Sequence, residues 1–403
     1  MRNSLRLEFQ GPDRATMAQM ARIFGVFLLL MLCAAAGTAH AQTFQTSAPE
    51  ALLLDAETNT VLFSKEADKK IPPASLAKLM TMEVVFNRLK EGSLSLDDTF
   101  YVSENAWRNG GANSGGSTMF AKLKSEIALR DLISGVIIQS ANDGCIIIAE
   151  GLAGTESAFA NLMNERARTI GMTNSHFTNS TGLPDENQYV TLADLAKLAR
   201  HIISEYPEYF KYYAQTEFTW NKITQKNRNP LLNMDIGADG MKTGYTEASG
   251  YAIVGTAQRD GRRLIAVLSG MKSMRERAEE SRKILDWGFR AFERINLFGG
   301  GQTVGEISIY GGEPGKIAVG GSGPVEIFLP VGNRDKLKFR VSYQYPIRPP
   351  IRKGEQVAVL KVWIDDKLSQ ETPLYALEDS EKGGLVRQAT DAVLELMTGW
   401  IPN

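Results

Sequence analysis

The sequence contains very little cysteine and histidine. Of its 403 residues, two are Cys and three are His. Two cysteines can form neither a disulfide scaffold nor a cysteine-rich zinc site. A Ser-His-Asp triad needs a histidine, and beyond residue 41 only His176 and His201 are present. His201 falls on a predicted helix and is more typical of a structural residue, which leaves His176, in a polar stretch, as the alternative base.

An excess of one charge is also absent. Lys and Arg total 45 and Asp and Glu total 46, which gives a net charge of −1. Such a balance gives no indication of a nucleic-acid partner. Apolar residues make up 43% and charged residues 23%, the composition of an ordinary folded chain. The length predicts two or three domains.

Long apolar runs are absent except for one near the start. Arg14 and Arg22 precede an apolar run over residues 23–36, and Ala39-His40-Ala41 follows it. The run is shorter than the ~20 residues that a membrane-spanning helix needs. A basic start, a short apolar core and small residues at the end predict a signal peptide over residues 1–41. An uncleaved anchor is the alternative.

Residues 47–293 show strand patterns at both ends and helical patterns between them. Apolar runs at 51–54 and 60–63, and at 251–257 and 264–269, flank polar turns and predict two hairpins. The helical patterns cover residues 75–90, 126–139, 141–152, 156–170, 191–204 and 277–293. We therefore predict an α+β domain whose sheet is assembled from both ends of the segment.

The composition changes after residue 293. Short β-type runs separated by Gly, Pro and Asp turns predict a small all-β sandwich over residues 294–380. In residues 384–403, apolar side chains recur at helical spacing: Leu385, Ala389, Val393, Leu396, Met397 and Trp400. This pattern predicts an amphipathic helix that lies on a membrane surface or, alternatively, packs against the β-domain.

Three short motifs carry side chains suited to catalysis. In Ser75-Leu76-Ala77-Lys78, at the start of a predicted buried helix, the two polar side chains share one helix face. A serine hydroxyl needs a base, and burial lowers the pKa of a lysine toward neutrality. Alone, Ser75 is equally compatible with a helix cap.

The other two motifs are Ser140-Ala141-Asn142, between two predicted helices, and Lys242-Thr243-Gly244, before a β-run. The first offers a second hydroxyl and an amide. The second offers a positive charge, and a glycine that would let a substrate backbone lie close to the strand. Separately, a loop and a surface turn explain them as well.

Together and in this order, the motifs are the signature of penicillin-binding proteins and class A β-lactamases. The chain resembles the low-molecular-mass penicillin-binding proteins, which are serine-type D-alanyl-D-alanine carboxypeptidases. The resemblance extends over most of the chain, and the segments that carry it best are residues 73–78, 116–120, 140–143 and 242–246. It implies the fold of that family and no cofactor or metal.

The resemblance also implies roles for single residues. Ser75 attacks the bond between the last two D-alanines of a peptidoglycan stem, Lys78 is its base, and a β-lactam acylates Ser75. Backbone N–H groups of Ser75 and Tyr245 form the oxyanion hole. The remaining implied roles are proton transfer to the leaving D-alanine by Ser140 and Lys242, an amide contact by Asn142, and carboxylate binding by Thr243 and Arg277, with Arg275 as the competitor of Arg277.

Two other functions remain open from the sequence. A β-lactamase would carry a deacylating Glu in a Glu-x-x-x-Asn stretch and no β-domain, and Ala141 stands where class A enzymes have Asp. A non-catalytic wall-binding protein would keep the fold without turnover. The expected location is the periplasm, at the outer face of the inner membrane.

Overall fold

The computed structural model describes residues 44–330, 337–364 and 366–398. The predicted signal peptide over residues 1–41 and Trp400 lie outside these ranges. Within them, no helix is long and apolar enough to cross a membrane.

A five-stranded antiparallel sheet organises residues 44–291. The strands of this part are β1 (Glu50–Asp55), β2 (Val61–Lys65), β3 (Thr99–Tyr101), β4 (Glu126–Ala128), β5 (Glu217–Trp220), β6 (Ile223–Lys226), β7 (Ala238–Thr246), β8 (Gly250–Arg259) and β9 (Arg262–Met271). The sheet has the order β2-β1-β9-β8-β7, and β3 with β4 and β5 with β6 form separate hairpin-like pairs. Strands from both ends of the segment therefore lie side by side, as the sequence predicts.

Helices fill the middle of this part and close it. They are α1 (Lys78–Lys90), α2 (Leu129–Ser134), α3 (Asn142–Ala153), α4 (Glu156–Ile170), α5 (Leu192–Glu205), α6 (Pro207–Phe210) and α7 (Met274–Ala291). Short 3₁₀ turns cover Ala74–Ala77, Ala112–Ser114, Lys211–Ala214 and Pro230–Asn233, and π-helical turns cover Ala106–Gly110 and Gly135–Gln139.

The sheet is covered on both faces, and β1 shows why. All six of its residues are buried, and alternate side chains of a strand point to opposite faces. Leu52 and Leu54 join the core formed with α1, α3 and α5. Ala51 and Leu53 join a second core that contains Ile284 and Leu285 of α7. The apolar run at 51–54 is thus a strand between two layers of helices.

The helical expectation for residues 126–139 is wrong at its start. Residues 126–128 form β4, where Ile127 pairs with Phe100 of β3, and the helix begins at Leu129. The sequence pattern does not separate this strand from the helix that follows, because three residues are too few to show the alternation typical of a strand. The other helical predictions agree with the structure to within a few residues at their ends.

Residues 292–382 form an all-β region. Its strands are β10 (Phe292–Phe298), β11 (Gly305–Ser308), β12 (Gly312–Glu313), β13 (Lys316–Gly320), β14 (Val325–Pro330), β15 (Leu337–Ser342), β16 (Gln356–Ile364), β17 (Lys367–Ala376) and β18 (Glu381–Lys382). The main sheet has the order β11-β13-β17-β16-β15, and β10 pairs with β14. The α+β fold followed by an all-β domain is confirmed.

Polar contacts join the all-β region to the first sheet, and two of them are made by Thr60 and Arg262. Thr60 Oγ1 donates to Gln370 Oε1 at 2.6 Å. The guanidinium of Arg262 lies 3.7 Å from the ring centre of Phe328, and its Nε donates to Asp55 Oδ2 at 3.0 Å. The last helix, α8 (Leu385–Thr398), follows the all-β region.

Candidate active site

Ser75 and Lys78 lie together at the start of α1. Ser75 occupies the 3₁₀ turn that leads into the helix, and Lys78 Nζ lies 2.9 Å from Ser75 Oγ. Lys78 is 1% exposed, and α1 buries apolar residues on most of its faces. This burial lowers the pKa of the Lys78 amine to about 8. The arrangement supplies a hydroxyl with an adjacent amine that loses its proton near neutral pH.

A backbone carbonyl holds the Lys78 amine from the other side. Lys78 Nζ donates to the Thr181 carbonyl at 2.6 Å, and Thr81 Oγ1 donates to the neighbouring Ser180 carbonyl at 2.7 Å. Gly182, with φ +80°, permits this approach, because a Cβ at that position would lie 1.8 Å from the carbonyl oxygen of Ala74. The sequence offers only a weak signal for this loop, the turn-type run Asn179-Ser180-Thr181-Gly182.

Ser140 and Asn142 lie at the junction of the π-helical turn and α3. Ser140 has φ +61°, is 1% exposed, and among the described residues its Oγ has no hydrogen-bond partner. Asn142 is buried, and its backbone N–H donates to the Ser117 carbonyl at 2.7 Å. An unpaired buried hydroxyl is costly unless something uses it, so Ser140 is a candidate for contact with substrate.

Strand β7 brings the third motif to the same place. Lys242 and Thr243 are buried, and Lys242 Nζ donates to the Thr243 carbonyl at 3.1 Å. Burial, and after it the charge of Lys78, lowers the pKa of Lys242 well below its usual value. Tyr245 is half exposed, and its ring centre lies 4.3 Å from that of Tyr251.

Gly244 has a close contact within the protein itself. A Cβ at this position would lie 3.3 Å from the backbone nitrogen of Ser75 and 3.2 Å from Cβ of Ala74. The missing side chain therefore lets β7 pack against the turn that carries Ser75. That Gly244 also lets a substrate backbone lie close to β7 stays a prediction.

One cavity of about 660 Å³ collects most of these residues. Its lining includes Ser75, Ser140, Thr243, Gly244, Tyr245 and Arg277. Arg277 is 6% exposed, its guanidinium lies 5.6 Å from the Tyr251 ring centre, and burial lowers its pKa to about 10. Arg275 points elsewhere: its side chain is 86% exposed and is paired with Glu279 at 2.7 Å. The structure thus places Arg277, rather than Arg275, in the cavity that Ser75 also lines.

Arg228 is a cavity residue that the sequence did not indicate. It lines the cavity, and its Nη1 donates to Ser117 Oγ at 2.5 Å. Its charge contributes to the lowered pKa values of Lys78, Lys242 and Arg277. No motif surrounds Arg228 in the sequence. It follows the β5–β6 hairpin, and only the tertiary fold brings it to the cavity.

The alternative nucleophiles and bases lie elsewhere. His176 Nδ1 is 2.9 Å from the Asn187 carbonyl oxygen, and His201 Nε2 is 3.4 Å from Glu83 Oε1. Neither histidine lines the cavity. Cys145 is buried, which raises the pKa of its thiol to about 12 and keeps it protonated. The described ranges contain no cluster of three or more side chains suited to a metal ion.

A second cavity of about 500 Å³ lies between residues 70–74 and 182–189. It contains none of the polar side chains of the three motifs. The larger cavity is lined by several hydroxyls, Ser75 and Ser140 among them, and by two arginines, Arg228 and Arg277. With the Lys78 amine 2.9 Å from Ser75 Oγ, this arrangement can form a serine ester and bind an anionic group. No Asp or Glu of the described residues lines it.

Comparisons with known proteins agree along nearly the whole chain. Residues 36–273 match the family described as D-alanyl-D-alanine carboxypeptidase, and residues 292–382 match the penicillin-binding protein 5 C-terminal domain. The chain is 36% identical over 377 residues to the D-alanyl-D-alanine carboxypeptidase DacC of Escherichia coli (strain K12), covering 92% of this chain and 94% of that protein. DacA of the same strain is 32% identical over 359 residues, with 88% and 89% covered.

Solved structures give a matching result. Penicillin-binding protein 5 from Haemophilus influenzae superimposes with a TM-score of 0.73 at 34% identity, covering 84% of this chain and 99% of that one. Penicillin-binding protein D2 from Listeria monocytogenes, in its ampicillin-bound form, has a TM-score of 0.54 at 29% identity, with 62% and 99% covered.

Proposed function

This chain belongs to the D-alanyl-D-alanine carboxypeptidase family and is a serine-type carboxypeptidase, and from this premise we propose that Ser75 is its nucleophile. The substrate is a peptidoglycan pentapeptide stem, from which the enzyme removes the terminal D-alanine. The observation that carries the assignment is the buried Lys78 amine 2.9 Å from Ser75 Oγ, beside a cavity that Ser75 shares with Ser140 and Arg277.

Acylation begins with a proton transfer to Lys78. A neutral amine has one lone pair, so Lys78 can accept the Ser75 proton while it still donates to the Thr181 carbonyl. With a pKa of about 8, about a tenth of the Lys78 amine is neutral at pH 7. The Ser75 oxygen then forms a bond to the carbonyl carbon of the penultimate D-alanine. The backbone N–H groups of Ser75 and Tyr245 bind the resulting oxyanion.

Collapse of this intermediate breaks the peptide C–N bond. The leaving nitrogen of D-alanine takes a proton through Ser140, whose Oγ has no protein partner in the described part of the chain, and Lys242. Water then attacks the ester carbonyl, the Ser75 oxygen recovers a proton, and the shortened peptide leaves as a carboxylate. Asn142 holds the amide of the substrate during both acylation and deacylation.

The terminal carboxylate of the substrate binds Arg277 and Thr243. The buried Nε of Arg277 has no hydrogen-bond partner among the described residues, so a carboxylate would satisfy it. Arg228 and Arg277 line the same cavity, and an anionic substrate end relieves the repulsion between these two guanidinium groups. This explains a carboxypeptidase specificity on physical grounds.

A β-lactam, which carries both an acyl group and a carboxylate, would acylate Ser75 by the same route. The Listeria protein D2 has been solved in ampicillin-bound and cefotaxime-bound forms. A β-lactamase is less well supported, because the curated relatives reported above are named carboxypeptidases and the all-β domain is present. The close Ser75–Lys78 pair argues against a wall-binding protein without turnover.

The direct test is release of D-alanine from diacetyl-Lys-D-Ala-D-Ala by the chain without residues 1–41. We expect steady release by the wild type and a loss of at least ~10³-fold for Ser75→Ala. Ser93→Ala, a change of an exposed serine after α1, is the matched control and should keep the full rate. Equal release by wild type and Ser75→Ala would contradict the proposal, and fast penicillin hydrolysis without peptide cleavage would favour the β-lactamase.

Location and domain division complete the proposal. Residues 1–41 direct export to the periplasm, residues 47–293 form the catalytic domain, residues 294–380 the β-domain, and residues 384–403 contact the membrane surface.

The contacts of α8 support the proposed membrane contact. Its polar side chains face the β-domain, since Asp391 Oδ2 accepts a bond from the Gly311 nitrogen at 2.8 Å. Leu385 and Val386 are 85% and 83% exposed, so part of its apolar side is open.

A further inference from the structure

Asp143, the residue after Asn142, is fully buried and holds a separate segment of the chain. Its carboxylate accepts three hydrogen bonds from residues 118–121: from Thr118 Oγ1 at 2.6 Å, and from the backbone nitrogens of Met119 and Ala121 at 3.0 Å each. A fourth bond comes from the nitrogen of its neighbour Gly144. Asp143 does not line the cavity, so the proposed mechanism leaves this carboxylate without a role.

The segment that Asp143 holds continues directly from one lining segment of the cavity. Gly115, Gly116 and Ser117, which precede residues 118–121 in the chain, line the cavity together with Ser75 and Thr243. The Ser117 carbonyl accepts the backbone N–H of Asn142 at 2.7 Å. Gly116 lies so close to the Asn142 amide that a Cβ there would be 2.7 Å from its Nδ2. This lining segment therefore sets the position of the Asn142 side chain.

The outer side of the same segment is held by the β5–β6 hairpin and the residues after it. Asn221 Nδ2 donates to the Phe120 carbonyl at 2.9 Å, and Gln225 Nε2 donates to the Thr118 carbonyl at 3.1 Å. Arg228 donates to Ser117 Oγ. The two amide bonds are neutral and the Arg228 bond is exposed, whereas the bonds from residues 118–121 to Asp143 are both buried and charge-assisted, which makes them the stronger set.

We propose that Asp143 is a positioning residue of the reaction, which clamps residues 117–121 against the Ser140–Asn142 turn. The clamp fixes the width of the cavity between these two segments, and with it the distance from Ser75 to the hydroxyl and amide that act on the substrate. The proposal rests on the proposed function of Ser75. It predicts that loss of the clamp displaces Ser140 and Asn142 without removing either side chain.

Asp143→Asn tests the clamp, because the amide keeps the size of the side chain and loses the charged acceptor. D-alanine release from diacetyl-Lys-D-Ala-D-Ala is measured well below the melting temperature. The concentration of folded active sites is measured by titration to completion with a fluorescent penicillin. The rate is divided by that concentration, so that unfolded protein does not lower it. We expect kcat per titrated site to fall about tenfold or more, with a smaller change in KM, because misplaced reacting groups slow the chemical steps.

Substitutions of Thr118 supply a second test, in which the charge of the buried side chains is not altered. Thr118→Val removes the 2.6 Å bond and keeps the shape, whereas Thr118→Ser keeps the hydroxyl. We expect Thr118→Val to lower kcat in the same direction as Asp143→Asn, and Thr118→Ser to restore it. Asp131→Asn, on α2 and away from the segment, is the control for an Asp-to-Asn change and should leave kcat unchanged.

The proposal is overturned if kcat per titrated site stays within about twofold of wild type in both Asp143→Asn and Thr118→Val while only the melting temperature falls. If Asp143→Asn does not fold, the Thr118→Val and Thr118→Ser pair decides alone. Failure of the proposed function is separate, since it would show as equal D-alanine release by wild type and Ser75→Ala.

Discussion

At the scale of the residue, burial gives Lys78 its chemistry. An exposed lysine has a pKa near 10.4 and is almost wholly protonated at neutral pH. Lys78 is 1% exposed at the start of α1, and this desolvation lowers its pKa to about 8. The nearby charge of Arg228 acts in the same direction, whereas Asp143 opposes it. The fold thus gives Lys78 a pKa that suits the proposed role of a base.

This pKa predicts the pH dependence of the reaction. Ser75 is activated only by neutral Lys78, and the neutral fraction rises as pH increases toward the pKa of about 8. We expect kcat/KM for the D-Ala-D-Ala peptide to rise up to about tenfold per pH unit below that value and to level off above it. Stopped-time D-alanine assays from pH 5.5 to 9.5, with circular dichroism at each pH, measure this. A rate that does not change between pH 6 and 8 would contradict the role of Lys78.

Arg277 and Arg275 form a matched pair for a test of carboxylate recognition. Arg277 is buried beside the cavity, and Arg275 is exposed on the same helix and paired with Glu279. A hydrogen bond to a charged group contributes about 1.5–3 kcal/mol, so Arg277→Gln should lower kcat/KM roughly 10–100-fold, chiefly through KM. Arg275→Gln should leave both constants unchanged. The reverse result would move the carboxylate site to Arg275.

At the scale of the element, the sequence predicted those features whose signals are local. The predicted helix over residues 191–204 is α5, and Thr191 Oγ1 caps it by accepting the Asp194 N–H at 3.1 Å. The buried character of α1 and both long hairpins also followed from periodicity. The short strands β3 to β6 did not, because a strand of three or four residues gives no period to read.

The cavity was predictable only in part for the same reason. The three motifs indicated Ser75, Ser140 and Lys242, because the residues of each motif are contiguous in the chain. Arg228 reaches Ser117 across 111 residues of sequence, and Asp143 contacts Thr118 across 25, so their contacts depend on the tertiary fold. Helical spacing does not show which face of α7 lies toward the cavity. The choice between Arg275 and Arg277 could therefore be made only from the structure.

The cap of α5 gives a prediction at this scale. Thr191 is fully buried, and its hydroxyl oxygen satisfies a helix N–H that would otherwise lack an acceptor. Thr191→Ala should lower the free energy of unfolding by about 1 kcal/mol, and the melting temperature by roughly 2–4 °C. Thr169→Ala, whose hydroxyl bonds back to the Glu165 carbonyl inside α4, is the control and should change stability little. Differential scanning calorimetry compares the two, and an equal loss in both would contradict the capping role.

At the scale of the whole molecule, α8 has one side against the all-β region and another side exposed. Asp391 Oδ2 accepts the Gly311 N–H of the all-β region, which agrees with a packed helix, and Gln388 Nε2 donates to the Gly383 carbonyl just before the helix. Leu385, Val386 and Val393 remain exposed, which agrees with a surface that meets lipid. The polar contacts thus agree with packing against the all-β region, and membrane contact by the exposed apolar side chains stays a prediction. An amphipathic helix can dock by its polar side and present its apolar side.

Vesicle binding separates these alternatives. The chain without residues 1–41 should sediment with vesicles of phosphatidylethanolamine and phosphatidylglycerol. The double change Leu385→Asp and Val386→Asp should weaken the partition at least ~10-fold, because two apolar side chains no longer enter the interface. Phe339→Asp, which alters a half-exposed apolar residue of β15, is the control and should bind normally. Sedimentation that is the same for wild type and the double variant would exclude α8 as the anchor.

The most direct test of the central claim, that Ser75 forms the acyl-enzyme, is to map a β-lactam adduct by mass spectrometry. Trypsin cuts after Lys70 and Lys78, so residues 71–78 form one peptide, in which Ser75 is the only serine. After brief exposure to penicillin, we predict one added penicilloyl mass on this peptide, and none in Ser75→Ala. An adduct on residues 131–166, which contain Ser140, or an unchanged adduct in Ser75→Ala, would contradict the account.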